Sequence, residues 1–555
     1  MLLTYFNLII ISLTIFGYSV FKQKLFDISS KLKDEDFIFG LILISFLSLL
    51  TNFFLPLKLV SFFIILFGIV LFIWSFFKGK FAINLKSYFI ILFLFCFFTH
   101  NNSLNYDSPF YHLQIIKWMS EYKVSFGLIN LEPRYAMPSI WHQFIALFNY
   151  NIFQFNPVYL VSLIAFSILL NKVVNEQKFE KKSNFFLLFV NCFLIFFALI
   201  HPFKDGIIFN HLGSPESDII GIVFFSFSFY FFLKILDNKK IIDFYYLLFF
   251  IFYAILIKIS YAYLILLLIL PLVIFKQEIL ANKKIFIVAI IFTIFWFIRN
   301  LIISGCLIFP ISITCIDLSW SNINDVEYFF NEAKSWSRST RLRINAANFN
   351  YTIHSFDWFI PWFKDYFMNT SILKILSLSF VLSFIFVVFG FLFNKIKIKS
   401  LINKYNFIIL IFVIFGIYTW MQAPEVRYGH GLIILLIYFN IFIVIKISQI
   451  KFNFNSNIYK TIPYVLLILL CLKNYNVFDK FNDKFIREFD HSNFIKIKNE
   501  SNFEIYTPNP ELSKKPGYQN FCTDFSGICG YLNHPTKLEN LKILKNNYNY
   551  IIFKN

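Results

Sequence analysis

Residues 57–77 read LKLVSFFIILFGIVLFIWSFF, and Lys78, Lys80 and Lys86 follow soon after. About 20 predominantly apolar residues suffice for a helix to cross a bilayer. The stretch therefore predicts a span that ends in a basic loop. Working outward, the same unit recurs at 2–21, 37–54, 84–100, 157–173, 183–201, 216–236, 242–258, 261–276, 284–303, 371–393, 405–421, 430–448 and 458–473. The expected fold class is an all-α polytopic membrane protein with about fourteen transmembrane helices. Composition points the same way. The 555 residues are 58% hydrophobic and 15% charged, with mean hydropathy +0.67, and a soluble chain could not hide that much apolar surface. The 82 Phe are spread over nearly every span, which fits compositional bias better than function.

A net charge of +19 would suggest nucleic acid in a soluble protein. Here the lysines crowd into short loops: Lys22, Lys24, Lys31 and Lys33; Lys172, Lys178, Lys181 and Lys182; Lys234, Lys239 and Lys240; Lys395, Lys397, Lys399 and Lys404. Such loops face the cytoplasm by the positive-inside rule, and no basic helix or stacking platform of a nucleic-acid binder is present. The intervening segments 101–156, 202–215, 304–370 and 422–429 are sparse in charge and expected outside, as are both termini. Leu2 to Phe21 lacks a basic leader and a small-residue cleavage site, so it reads as a retained span rather than a signal peptide.

The nine histidines fall on the outer side or at its boundary. Cys306, Cys315, Cys522 and Cys529 also lie outside, where an oxidising compartment permits disulfides. Cys306 with Cys315 and Cys522 with Cys529 are the local candidates, although sequence does not fix connectivity. Zinc-type spacing is absent. Residues 474–555 are polar and turn-rich, with short apolar runs at Phe503 to Tyr506 and Tyr548 to Phe553. They predict a small extracytoplasmic α/β or β-rich tail, near the lower limit for independent folding, that docks on the outer loops.

The outer loops carry the candidate chemistry. The first holds Tyr106-Asp107-Ser108-Pro109-Phe110-Tyr111-His112, and an ionisable group at a membrane boundary is a functional candidate unless structure explains it. The structural alternative is a helix cap. Ser108 before Pro109 makes the better cap, leaving Asp107 just outside the helix. Amphipathic helices are expected from Pro109 to Tyr122 and from Pro138 to Phe148, lying at the interface with Trp118 and Trp141 in the aromatic belt.

The second loop holds His201, Asp205 and His211, then Ser214-Pro215-Glu216-Ser217-Asp218. Its acids complement a helix N-terminus or join Asp107 in a cluster for a sugar hydroxyl or a divalent cation. Lys258, Arg299-Asn300 and Arg427 stand near the same face, as membrane anchors or as phosphate ligands. The loop 304–370 interleaves Asp317, Trp320, Trp336, Arg338, Arg341, Arg343, Asp357, Trp358, Pro361 and Trp362, suiting either a sugar or lipid headgroup or an interfacial helix.

Three motifs resemble the GT-C superfamily of glycosyltransferases, which includes the protein mannosyltransferases. They are Tyr106-Asp107-Ser108, the Ser214 to Asp218 run, and Trp296-x-x-Arg299-Asn300-x-x-x-Ser304-Gly305-x-x-x-x-Pro310. The resemblance covers 84–370 as a seven-span core, flanked by an N-terminal three-span segment (1–83), a four-span segment (371–473) and the tail (474–555). The chain also looks like an uncharacterised bacterial membrane-protein family with the same Tyr-Asp-Ser…Tyr-His start. Two departures stand out: three spans precede the core, and Ser108 replaces the acid that usually adjoins the family's Asp.

The resemblance implies transfer of a sugar from a polyprenyl-phosphate donor to a glycan, lipid or protein acceptor outside the bacterial inner membrane. Asp107 would be the general base. Lys258, Arg299 or Arg427 would stabilise phosphate charge, with Glu216 and Asp218 positioning sugar or a magnesium or manganese ion. Tyr106, Tyr111, His112 and Asn300 would complete the substrate contacts. The rival classes are a flippase or transporter of lipid-linked glycans and a non-catalytic envelope-assembly subunit.

Overall fold

The computed structural model of the chain describes residues 2–27, 30–99, 107–149, 161–175, 182–200, 214–340, 348–392, 404–448 and 456–473. In the tail it describes 494–498, 503–508, 522, 528–529, 538–546 and 549–554. The protein is mostly helical, and a helix falls on each of the apolar segments. Among the described residues, six helices are long and apolar enough to cross a membrane. They are Thr4–Leu25, Leu57–Phe77, Asp218–Asn238, Lys284–Ser304, Ser371–Phe389 and Val426–Ser448. The remaining apolar helices are shorter, or, in Asp34–Asn52, open on three acids.

A helix that is apolar all round is either central or lipid-facing, and both kinds occur. Asp218–Asn238 is buried along nearly its whole length and packs on Ile241–Ile257. Leu57–Phe77 instead leaves Phe62, Phe63, Phe67 and Phe77 exposed, a patch larger than a water-facing surface tolerates. The protein is therefore a membrane protein whose outer helices meet lipid.

Asp34, Glu35 and Asp36 begin their helix buried in protein. Lys22 meets Asp36 at 3.1 Å, Lys172 meets Glu35 at 3.0 Å, and Asn171 donates to Asp34 at 2.6 Å. Tyr246 adds a hydroxyl to Asp36, and Lys234 pairs with Asp243 at 2.8 Å. These contacts tie five helical segments together at one end of the bundle. Asp218 marks the other end, about 24 Å from Lys234 along their shared helix.

The expected span at 261–276 takes a different form. Helix Ile241–Ile257 stops at Lys258, whose backbone is extended (φ −153°, ψ 115°). A ten-residue 3₁₀ stretch, Ile259–Leu268, follows before helix Ile269–Ile274. Such long 3₁₀ runs are uncommon and mark constraint or hinges. Tyr261 presses so closely on Gly221 that a Cβ there would lie 2.6 Å from its ring.

The two helices expected to lie at the interface, Leu113–Glu121 and Ile140–Leu147, are buried on almost every side rather than lying on the surface. Trp118 and Trp141 are correspondingly 4% and 0% exposed, so neither belongs to an aromatic belt. Trp141 stacks on Phe144, and Trp118 takes the edge of Tyr550 from the tail.

The tail folds as two small sheets. β1 (Phe494–Lys498) pairs antiparallel with β2 (Glu504–Pro508), which pairs parallel with β3 (Ile528–Cys529). β4 (Leu541–Asn546) and β5 (Asn549–Lys554) form a hairpin. β5 docks on the segment around Phe126, which donates to Tyr550 O at 2.9 Å, while Ile552 donates to Phe126 O at 3.1 Å. Asn130 also reaches Ile552 O at 2.9 Å. Cys306–Cys315 and Cys522–Cys529 are both disulfide-bonded.

Candidate functional site

Asp107 opens a π-helical turn, Ser108–His112, that leads into helix Leu113–Glu121. Single π turns recur at functional sites. The Asp107 backbone is already helical (φ −67°, ψ −26°) and its carboxylate caps no backbone N–H. Ser108 does not cap either: its buried hydroxyl contacts Ser214 Oγ and donates to Glu216 Oε1 at 3.4 Å. Capping thus explains neither residue, and Ser108 joins the Asp107 turn to the segment that opens at Ser214.

The Asp107 carboxylate pairs with Arg427. Arg427 also donates to Glu425 at 3.2 Å and to the Tyr428 hydroxyl at 3.4 Å. The helix break exposes Lys258 to the same place, where it pairs with Asp218 and donates to Arg427 O at 3.1 Å. Both cations sit against the Tyr428 ring, Lys258 at 4.7 Å and Arg427 at 5.2 Å. Gly429 lets this helix approach Trp420, whose ring would lie 2.6 Å from an added Cβ. Asp107, Glu216, Asp218, Lys258 and Arg427 therefore gather at one end of the bundle. Asp107 and Arg427 remain partly open, at 18% and 30% side-chain exposure, so the cluster is reachable.

Burial would raise the Asp107 carboxyl. The Arg427 guanidinium, with His112 and the Tyr111 hydroxyl, more than offsets this and holds it below the usual carboxylate range. Burial, reinforced by Asp107, pushes Tyr111 well above an ordinary phenol. His112 Nδ1 and His142 Nε2 are 2.9 Å apart. Burial lowers both imidazoles, His142 especially, because His112 and Arg299 add like charge. Two neutral rings fit that contact, one donating and the other accepting.

Arg299 and Asn300 take a separate place. Arg299 Nη1 donates to Asn300 Oδ1 at 3.2 Å, and Asn300 Nδ2 to Leu307 O at 3.2 Å. Arg299 is 1% exposed, and its charge helps to lower the His142 imidazole.

Asp107, Glu216 and Asp218 do not fit a metal centre. Asp107 and Asp218 each face a cation, and among the described residues no three of His, Cys, Asp and Glu are gathered to hold a metal ion.

Within the loop 304–370, Trp358 and Trp362 are buried, Trp336 is exposed, and Arg338 donates to Thr352 O at 3.0 Å while covering Trp358. Tyr106, His201, Asp205, His211, Arg341 and Arg343 lie outside the described residues.

Sequence reasoning missed His142 and Arg134. Arg134 bridges Glu132 (2.6 Å) and Glu332 (2.8 Å) and covers Phe110. The spacing Glu132-Pro133-Arg134 was the available signal; His142 offered none beyond its place on the loop.

The chain belongs to the family described as Domain of unknown function (DUF8201), whose model matches residues 1–434. The match includes Asp107, Asp218, Lys258 and Arg427, while the tail and its disulfide lie beyond it. No curated protein and no solved structure matches the chain.

Proposed function

We propose that the protein is a membrane glycosyltransferase of GT-C type, transferring sugar from a polyprenyl-phosphate donor to a cell-envelope acceptor. In this reading all fourteen apolar helices cross the bacterial inner membrane, residues 84–370 form the seven-span core, and the Asp107 end faces outward with both termini. The observation that carries it is the Asp107–Arg427 pair beside Lys258–Asp218.

Asp107 is a poor base while Arg427 holds it. A donor phosphate supplies a competing anion, and Arg427 with Lys258 can turn to it, since guanidinium binds phosphate bidentately. Freed Asp107 then accepts the proton of the acceptor hydroxyl as that oxygen attacks the anomeric carbon. The C–O bond to phosphate breaks, and the departing charge stays between Arg427 and Lys258. Ser108, Ser214 and Glu216 lie beside Asp107 to hold sugar hydroxyls, and His112 orients the turn.

The test is transfer by purified protein from a panel of polyprenyl-phosphate sugars. Asp107→Asn should lower the rate by about 10²–10⁴-fold, the usual share of general-base catalysis. Unchanged transfer removes Asp107 as base. Absence of transfer by the unmodified protein from every donor favours a flippase or an assembly subunit.

A further inference from the structure

Arg299 poses a problem that the cluster at Asp107 does not solve. Its Nη1 meets Asn300, but Nε and Nη2 have no hydrogen-bond partner in the protein. Those two nitrogens form one edge of the guanidinium, the side-on fork that grips a carboxylate or phosphate through two oxygens. A buried guanidinium without a carboxylate is costly by several kcal/mol, and such groups are otherwise paired or exposed.

The surroundings are of one kind. Arg299 lines a narrow cavity with Asn52, Trp118, Lys123, Tyr135 and Ile303. Trp118 Nε1 is likewise unpartnered. The Asn52 amide is engaged with Met119 O and Tyr122 O, and the Tyr135 hydroxyl with Cys529 O. The residues lining the cavity thus hold three donor nitrogens without a partner in the protein, and half-buried Lys123 adds a positive charge. Donors without acceptors, beside net positive charge, select an anion.

We infer that this cavity is an oxyanion-binding subsite, in which the Arg299 fork and Trp118 Nε1 hold a group with two adjacent oxygens. It is distinct from the Asp107 cluster, where each cation already faces a carboxylate. The phosphate of a lipid carrier and the carboxylate of an acidic sugar share the required chemistry. The inference goes beyond the transfer reading and does not depend on it.

The experiment is thermal unfolding of the purified full chain at constant ionic strength, titrated with farnesyl monophosphate or glucuronate, against farnesol and glucose. One anion should raise the unfolding temperature saturably by several degrees while its neutral counterpart does not. A response to farnesyl monophosphate assigns a lipid phosphate; a response to glucuronate assigns a sugar carboxylate. Arg299→Met should unfold no lower than the unmodified protein without anion, yet lose the shift. Arg299→Lys, which keeps charge but loses the fork, should need at least tenfold more anion, and it carries the test if Arg299→Met does not fold. Lys80→Gln, whose ammonium lies beside Gln23 at the other end of the bundle, should retain the shift. The inference is overturned if neither anion shifts the unmodified protein, or if the Arg299 variants respond as it does. Anion binding without sugar transfer would leave this subsite standing and remove only the transfer reading.

Discussion

Asp107 and Arg427, 320 residues apart in sequence, form an ion pair at the mouth of the helical bundle. The pair is part-buried, so its contribution lies between that of exposed pairs, roughly 0–1 kcal/mol, and that of buried pairs broken on one side, roughly 3–5 kcal/mol. A double-mutant cycle with Asp107→Asn and Arg427→Gln should return a coupling of about 1–3 kcal/mol in denaturant unfolding. A coupling indistinguishable from zero would mean that the two groups do not meet in solution.

The same carboxylate sets an acid limit. Its folded pKa is lowered, so its stabilisation is complete above the unfolded carboxylate value and is lost as pH falls through the depressed folded one. The unmodified protein should lose stability on that acid side, and Asp107→Asn should remove this share of the slope.

The histidine pair acts at milder pH. Both folded pKa values are lowered, so the unfolded chain takes up protons first as pH falls below about 6.5. The unfolding temperature should therefore decline from pH 7 toward pH 5. His142→Gln should flatten that decline, and a slope unchanged in this variant would show that the pair does not titrate as drawn.

At the opposite end, Lys22 and Asp36 are almost fully buried. Removing one partner, as in Lys22→Met, should destabilise by about 3–5 kcal/mol because a buried charge loses its counter-charge. Adding Asp36→Leu should recover much of that loss. A single variant within 1 kcal/mol of the unmodified protein would place the pair in water.

The Cys522–Cys529 bridge fixes backbone carbonyls that accept from Gln114 at 3.1 Å and Tyr135 at 3.3 Å. Replacing both cysteines by serine should cost about 2 kcal/mol and make the tail more sensitive to protease while the helical bundle resists. Equal protection in both proteins would show that strand docking alone holds the tail.

The helices were legible because span length and lysine-rich loops are local properties. The β-containing tail was legible for the same reason, from its turns and short apolar runs. Asp107 could be singled out from its neighbours, but its pairing could not, since Arg427 arrives from a distant helix. Trp118 and Trp141 misled because an aromatic near a membrane boundary reads alike whether lipid or protein covers it. The cover over Trp118 is Tyr550, more than four hundred residues later. The Lys258 break left no proline or glycine to announce it, and only the 3₁₀ stretch revealed how that lysine reaches Asp218.

The docking of β5 on the segment around Phe126 bears on how the protein is made. Asn130 and Ile552 are separated by 422 residues, so several hundred further residues leave the ribosome before Phe126, Asn130 and Trp118 can meet β5. During that interval the segment around Phe126 stands without β5 beside it. Biogenesis therefore includes a delayed closing step, in which a strand made several hundred residues later completes a surface that the Phe126 to Asn130 segment began.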